Sequence, residues 1–485
     1  MSRPFDEARY RGLLEGLEVS EVSRLKVSTG AETSRFDPEY FQKQHLADER
    51  LVIEYASRFS NFTDLGLRVD ASAFYPSIEG YYDQGILPFL RVADVDSMID
   101  FQACTRIPAE LCSWFPTLSR VHPGDIVLTK GGSVARIGLV TEEAAVSRDL
   151  IFLNSSQLPE ADRVLLYLYF QSGFFNRALI RSSSQTAQPH LTITLVRQLP
   201  IFIAGNELKQ ACLRLVQMSF HARSESLRLA GEAEQTLLRA LGLENWQPPE
   251  PLTYTRSSQD AFTAGRLDSE HFKPKYEGLE THIRATGSFT KLEALLTINE
   301  RGTQPDYAES GLAVVNSKHV ANGEVRLNED NRVAITGGNA LKIKLGDVLM
   351  NGTGVGTIGR AAPFLHDAEA LPDNHVTVLR PKAGYIDPVY LSVYLNSLAG
   401  QYQVNKWLRG SSGQIELYPN DIAQFLVWIA PAEVQQAIRK AIDDAFAAKR
   451  NATRLLDAAK CAVEIAIESG EANALGFLNR EITSQ

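Results

Sequence analysis

The chain has 485 residues, 44% hydrophobic and 22% charged, too long for one ordinary core and suited to two globular domains plus connecting elements. No run of about 18 uncharged apolar residues occurs, and residues 1–10 carry Arg3, Asp6, Glu7 and Arg9 with no apolar stretch behind them, so a cytoplasmic protein with neither membrane span nor secretory signal is expected. The formal charge of −9 excludes simple electrostatic coating of nucleic acid, and four scattered cysteines (Cys104, Cys112, Cys212, Cys461) lack the spacing of a zinc site.

In chain order, residues 1–33 read as an N-terminal segment, and 34–204 as a mixed domain with strands at 125–129 and 137–140 and a helix at 165–180. Residues 205–246 read as a long helix, because apolar or small residues recur at three- and four-residue steps: Leu208, Cys212, Leu215, Ser219, Ala222, Leu229, Ala233, Leu241. Trp246-Gln-Pro-Pro-Glu-Pro251 opens a linker over 247–264. A second mixed domain covers 265–430, with strands at 312–315, 347–350 and 376–379 and a helix at 388–408. A second long helix spans 431–470, and 471–485 form a C-terminal tail.

The chain repeats itself. Arg35-Phe-Asp-Pro-Glu-Tyr-Phe41 returns as Arg266-Leu-Asp-Ser-Glu-His-Phe272, Leu90-Arg-Val-Ala-Asp-Val95 as Val315-Asn-Ser-Lys-His-Val320, Gly124-Asp-Ile-Val-Leu128 as Gly346-Asp-Val-Leu-Met350, and Pro200-Ile-Phe-Ile-Ala204 as Leu426-Val-Trp-Ile-Ala430. Residues 206–242 then align with 432–468 without a gap at a constant shift of 226. Two helices of about 37 residues would each be roughly 55 Å long. Each carries an apolar seam whose natural partner is the other helix. The expected fold is α+β: two pseudo-symmetric mixed α/β domains joined by two long antiparallel coiled-coil helices.

The order of these motifs, with "Gln188-Pro-His190-Leu", "Asn351-Gly-Thr-Gly354", "Pro372-Asp-Asn-His-Val376" and "Gly410-Ser-Ser-Gly-Gln-Ile415", resembles the specificity subunit of Type I restriction–modification systems over residues 34–470. The resemblance implies that 34–204 and 265–430 are target-recognition domains, each reading half of a bipartite double-stranded DNA site. It also implies that the helices space the domains and dock adenine methyltransferase subunits, two copies, with a restriction/translocase subunit as a further partner. Catalysis would belong to those partners, and no cofactor is implied. Ile203-Ala-Gly-Asn-Glu-Leu208 departs from the proline-rich stretch common in relatives, which leaves open which modification or defence system the chain serves.

Residues 163–206 and 388–415 contain no Asp or Glu but carry Arg177, Arg181, Gln188 and His190 in the first half and Lys406, Arg409 and Gln414 in the second, two strips suited to phosphate contact. Near the strand loops stand Arg91, Lys130, Arg136 and Arg148, and Lys318, His319, Asn351, Asn374 and His375, residue types that read base edges. Gly354-Val-Gly-Thr-Ile-Gly359 matches a dinucleotide fingerprint in form, but Pro363 follows where a helix should open, so a hairpin loop is expected instead. Asp268 and Glu270 are expected in a charge network with Arg266 rather than as catalytic carboxylates. The alternative function is a non-catalytic scaffold that kept this fold but binds protein partners, which the acidic net charge favours.

Overall fold

The computed structural model describes residues 6–29, 37–74, 76–130, 136–182, 191–321, 323–328, 330–336, 340–354, 356–410 and 415–483. The chain divides into two compact units, residues 1–222 with 450–485 and residues 223–449.

In the first unit one four-stranded sheet runs Val69–Ala71, Leu150–Leu153, Ile126–Thr129, Ile137–Leu139, antiparallel throughout. A second runs Arg106–Ile107, Leu87–Leu90, Ala144–Val146, Arg120–Val121, with its central pair parallel. A two-stranded ladder joins Phe59–Ser60 to Ile201–Phe202. The second unit repeats the plan. Leu296–Arg301, Val376–Pro381, Val348–Asn351 and Ala361–Pro363 form the first sheet, and Phe289–Lys291 pairs with Leu426–Trp428. In the other sheet Leu312–Val315 again lies parallel to its partner, Ala370–Pro372.

The central strands read as unbroken apolar runs because both of their faces are covered. Ile126 and Leu128 enter the main core of the first unit, while Val127 between them packs with Leu90 and Val146. Val348 and Met350 likewise face one core and Leu349 another.

The helix expected at 165–180 is two helices, Glu160–Phe170 and Gly173–Ser182. Ser172 breaks it: its hydroxyl donates to the Tyr169 carbonyl at 2.6 Å and accepts the Phe175 amide at 3.2 Å, capping the second helix. The counterpart over 388–408 breaks in the same place, into Pro388–Asn396 and Leu398–Trp407, where the Ser397 hydroxyl donates to Tyr394 O at 2.7 Å. The long helices are Asn206–Leu241 and Ala432–Ser469, each followed by a glycine in the left-handed region, Gly242 (φ 75°) and Gly470 (φ 93°).

Each unit owns one half of each long helix. In the first unit Leu208, Cys212 and Leu215 share a core with Leu455, Ala459, Ala462 and Ala466. The Ser219 hydroxyl donates to Ala452 O at 2.6 Å, and Glu471 accepts the Gly205 amide at 3.0 Å, so the two stretches run antiparallel. In the second unit Ala233, Leu237 and Leu241 share a core with Ile438 and Ile442. Residues 471–485, read from sequence as a tail, form a helix over Glu471–Thr483 whose Ala474 and Leu478 are fully buried in the first unit.

Candidate nucleic-acid interface

The strand-end loops of the first unit converge. The Thr129 amide donates to Arg136 O at 3.0 Å, which closes the loop between them. Lys130, next along, donates from its amide to Asp149 O at 2.9 Å and accepts the Leu191 amide on its carbonyl at 3.0 Å. Its ammonium reaches Arg148 O, and burial holds its pKa below the ordinary lysine value. The Arg136 guanidinium donates to Val92 O at 2.8 Å, tying in the turn in which Asp94 accepts from the Arg91 amide at 2.9 Å. Arg91, Lys130, Arg136 and Arg148 therefore occupy one corner of the unit.

The second unit builds the same skeleton from different side chains. The Asn351 amide donates to Arg360 O at 2.9 Å, the Gly352 amide to His375 O at 2.8 Å, and the Leu417 amide to Gly352 O at 2.9 Å. The Asn316 amide donates to Nδ1 of His319 at 3.2 Å, the bond that Arg91 makes with Asp94 in the first unit. Strand register gives the same equivalence, since Leu150 lies opposite Thr129 and Val376 opposite Asn351. Position by position, Arg91 corresponds to Asn316, Asp94 to His319, Lys130 to Gly352, Arg136 to Arg360, Arg148 to Asn374 and Asp149 to His375.

Within this second corner the roles divide by burial. Asn351 is fully buried, and its amide nitrogen donates to Ser317 O at 3.0 Å and Val320 O at 3.3 Å. His319 is 4% exposed, held between Asn316 and Asn331, and burial lowers its pKa. Both brace loops and neither faces solvent. Lys318 is exposed and carries no ion pair among the described residues. His375 is exposed with Nδ1 2.7 Å from the Thr353 hydroxyl, and beneath it the buried Asp373, its pKa raised by desolvation, accepts the His375 amide at 2.9 Å. Arg409 is 47% exposed but bidentate on Asp421 at 2.8 and 2.6 Å. Its backbone pairs with Glu416, which also bridges Thr353.

The glycine-rich segment is a hairpin, since Val348–Asn351 and Ala361–Pro363 pair antiparallel across it. Gly354, Gly356 and Gly359 adopt φ of 100°, 77° and 79°, and among the described residues no helix opens there. Arg301 secures its base: its guanidinium donates to Leu417 O at 2.6 Å and Gly352 O at 3.3 Å, pairs with Glu416 at 3.2 Å, and lies 5.2 Å from the Tyr418 ring centre. A Cβ at position 352 would stand 2.5 Å from that guanidinium.

The helical strip residues lie elsewhere. Arg177 is bidentate on Asp48 at 2.7 and 3.1 Å. Arg181 pairs with Glu49 at 2.8 Å and stacks 4.4 Å from Tyr40. Lys406, 14% exposed, pairs with Glu280. The strips are acid-free along the chain but not in space, because carboxylates from distant helices neutralise these cations. They serve the domain-opening segment, as do Arg266, paired with Asp268 at 2.6 Å, and His271 against Lys406 O at 2.9 Å. Gln188, His190, Gln414 and Arg35 lie outside the described residues.

No family model matches the chain, and no curated protein matches it. Among solved structures, the S subunit of a Type I restriction–modification system from M. genitalium aligns at 13% identity over 85% of this chain and 93% of that one, with a TM-score of 0.31. The HsdS subunit from Thermoanaerobacter tengcongensis aligns at 14% identity over 84% and 97%, with a TM-score of 0.25. The likeness is to Type I specificity subunits. The duplicated topology stands on this chain's own strand pairing. Among the described residues no cluster of His, Cys, Asp or Glu has the make-up of a metal site, and no helix is long and apolar enough to cross a membrane.

Sequence reading missed Asn316, Thr353 and Arg301 as members of the site and passed over Arg360. For Arg360 and Asn316 the signal was present, because the repeat pairs them with Arg136 and Arg91. Arg301 had none: its counterpart by register is Ala71.

Proposed function

We propose that this chain is the non-catalytic DNA-reading subunit of a Type I-like restriction–modification or related phage-defence complex. Residues 34–204 and 265–430 act as target-recognition domains, and the long helices dock two adenine methyltransferase subunits, with a restriction/translocase subunit as a further partner. One observation carries the reading: two units share a loop skeleton bond for bond but display different side chains on it. That is the arrangement a bipartite, asymmetric DNA site requires, one framework with two reading chemistries. Lys318, Asn374, His375 and Arg360 in one unit and Arg91, Arg136 and Arg148 in the other form the proposed contact surface. Arg177, Arg181 and Lys406 are left out of it because they lie away from the strand-end loops, paired with carboxylates of the domain-opening helices.

The test is methylation mapping of host DNA with and without this chain, together with co-purification of the methyltransferase encoded beside it. Adenine methylation at a bipartite site that appears only with the chain supports the proposal. Complex formation without any marked site would favour the protein-binding scaffold, a reading that the net charge of −9 and the internal neutralisation of three cations also favour. A salt titration separates the two, since phosphate contacts release counterions and give a steep salt dependence.

A further inference from the structure

We infer that Arg148 and Asn374 are the specificity-determining residues of the two loop clusters, Arg148 selecting a guanine in one half-site and Asn374 an adenine in the other; the inference rests on the DNA-reading function proposed above.

The two residues hold the same place in the two units. Each sits between neighbours whose backbone is fixed. On one side the Ser147 amide donates to Leu90 O at 2.9 Å, and the Asp373 amide to Val315 O at 3.0 Å. On the other side Asp149 O accepts the Lys130 amide at 2.9 Å, and His375 O accepts the Gly352 amide at 2.8 Å. The Lys130 ammonium also braces the carbonyl of Arg148 itself, and the Asp373 carboxylate takes the amide two residues on. The side chain of the bracketed residue thus starts from a preorganised backbone, which lowers the ordering cost of a contact made through it.

The chemistry at this position suits base edges better than phosphate. Arg148 is 51% exposed beside Asp149, 62% exposed, with Nε 3.9 Å from the carboxylate. A carboxylate at that spot repels phosphate. A guanidinium and a carboxylate side by side instead offer donors for guanine O6 and N7 and an acceptor for the cytosine amino group. Asn374 is uncharged and gains nothing Coulombic from phosphate. Its amide offers the donor and acceptor that match adenine N7 and N6, and it makes no hydrogen bond among the described residues. One backbone position therefore carries a guanine-type reader in one unit and an adenine-type reader in the other.

The experiment is selection from a random duplex library with the full-length chain, its Arg148→Asn variant and its Asn374→Arg variant, each assembled with the methyltransferase encoded beside it, at one fixed salt concentration. Arg148→Asn is expected to change one position of one half-site from G to A and leave the other half-site alone. Asn374→Arg is expected to change A to G in the other half-site. Each switch should be roughly 10- to 100-fold in relative affinity. Arg148 is exposed and Asn374 half-buried, and if one variant melts early the other reports alone. Unchanged consensus sequences in the variants overturn the assignment. So does a uniform loss of affinity with a shallower salt dependence, which marks a phosphate contact. Failure of the unsubstituted chain, assembled with the methyltransferase encoded beside it, to enrich any duplex overturns the DNA-reading function itself, a result distinct from the other two.

Discussion

Lys406→Glu separates a structural cation from a DNA-facing one. The Lys406 and Glu280 side chains are 14% and 22% exposed, and the ammonium lies 5.7 Å from the Trp407 ring centre. Reversal puts two carboxylates together in a half-dry corner. A fully buried pair broken on one side costs about 3–5 kcal/mol, and partial exposure reduces that to about 2 kcal/mol here. At roughly 2–4 °C per kcal/mol for a unit of this size, the melting temperature of the unit should fall by about 4–8 °C. The double variant Glu280→Lys/Lys406→Glu restores the attraction and should recover most of the loss. Lys318→Glu, at an exposed site with no ion pair among the described residues, should melt with the unsubstituted chain yet weaken DNA binding and flatten its salt dependence by about one unit of slope. Circular-dichroism melts and binding isotherms at two salt concentrations read both effects. If Lys406→Glu melts normally and loses DNA binding with a reduced salt slope, the assignment of Lys406 to the domain interior is refuted.

Further outcomes follow from other sites. His45, His271 and His319 have pKa values pushed below the ordinary 6.5 by burial, so the folded chain binds fewer protons there than the unfolded one. Their contribution is complete above about pH 6.5 and is lost as pH falls through the depressed values; equal denaturation midpoints at pH 7.5 and 5.5 would contradict this. Gly231 lies inside a long helix with open space around its missing Cβ, so Gly231→Ala should raise stability by about 0.5–1 kcal/mol in denaturant titration. Gly352→Ala should instead lower it by about 1–2 kcal/mol, because the new methyl displaces the Arg301 guanidinium from its bonds to Gly352 O and Leu417 O.

The repeat, the two long helices and the central strands were legible in the sequence because each follows from periodicity that local physics imposes. What was hidden lay in particular side-chain bonds, some between near neighbours and some between partners remote in sequence. Ser172 and Ser397 look like ordinary interior residues of an apolar run until the Ser172 hydroxyl is seen capping the next helix and the Ser397 hydroxyl bonding back to Tyr394 O. Residues 471–483 carry Ala474, Leu475, Phe477, Leu478 and Ile482, but the segment is short and stands just past Gly470, so it reads as a tail until the core of the first unit is seen to receive Ala474 and Leu478. Strand ends bring loops together, which is why Arg91, Lys130, Arg136 and Arg148 share a corner, while Asn351 and His319 of the second unit turn inward to brace its loops. The basic strips misled because composition counts charges along the chain, whereas Asp48, Glu49 and Glu280 approach across more than a hundred residues.

The division of each long helix between the units has a consequence for biosynthesis. The first unit needs residues 450–485 to complete its core, with Ala474 and Leu478 buried there. The second is the unbroken stretch 223–449. During translation the second unit can close as soon as its residues clear the ribosome, while the first, although begun earlier, waits with Leu208, Cys212 and Leu215 uncovered until the last helix emerges. The order of completion is therefore the reverse of the order of synthesis, and a premature stop after residue 449 would spare the later-made unit and cripple the earlier one.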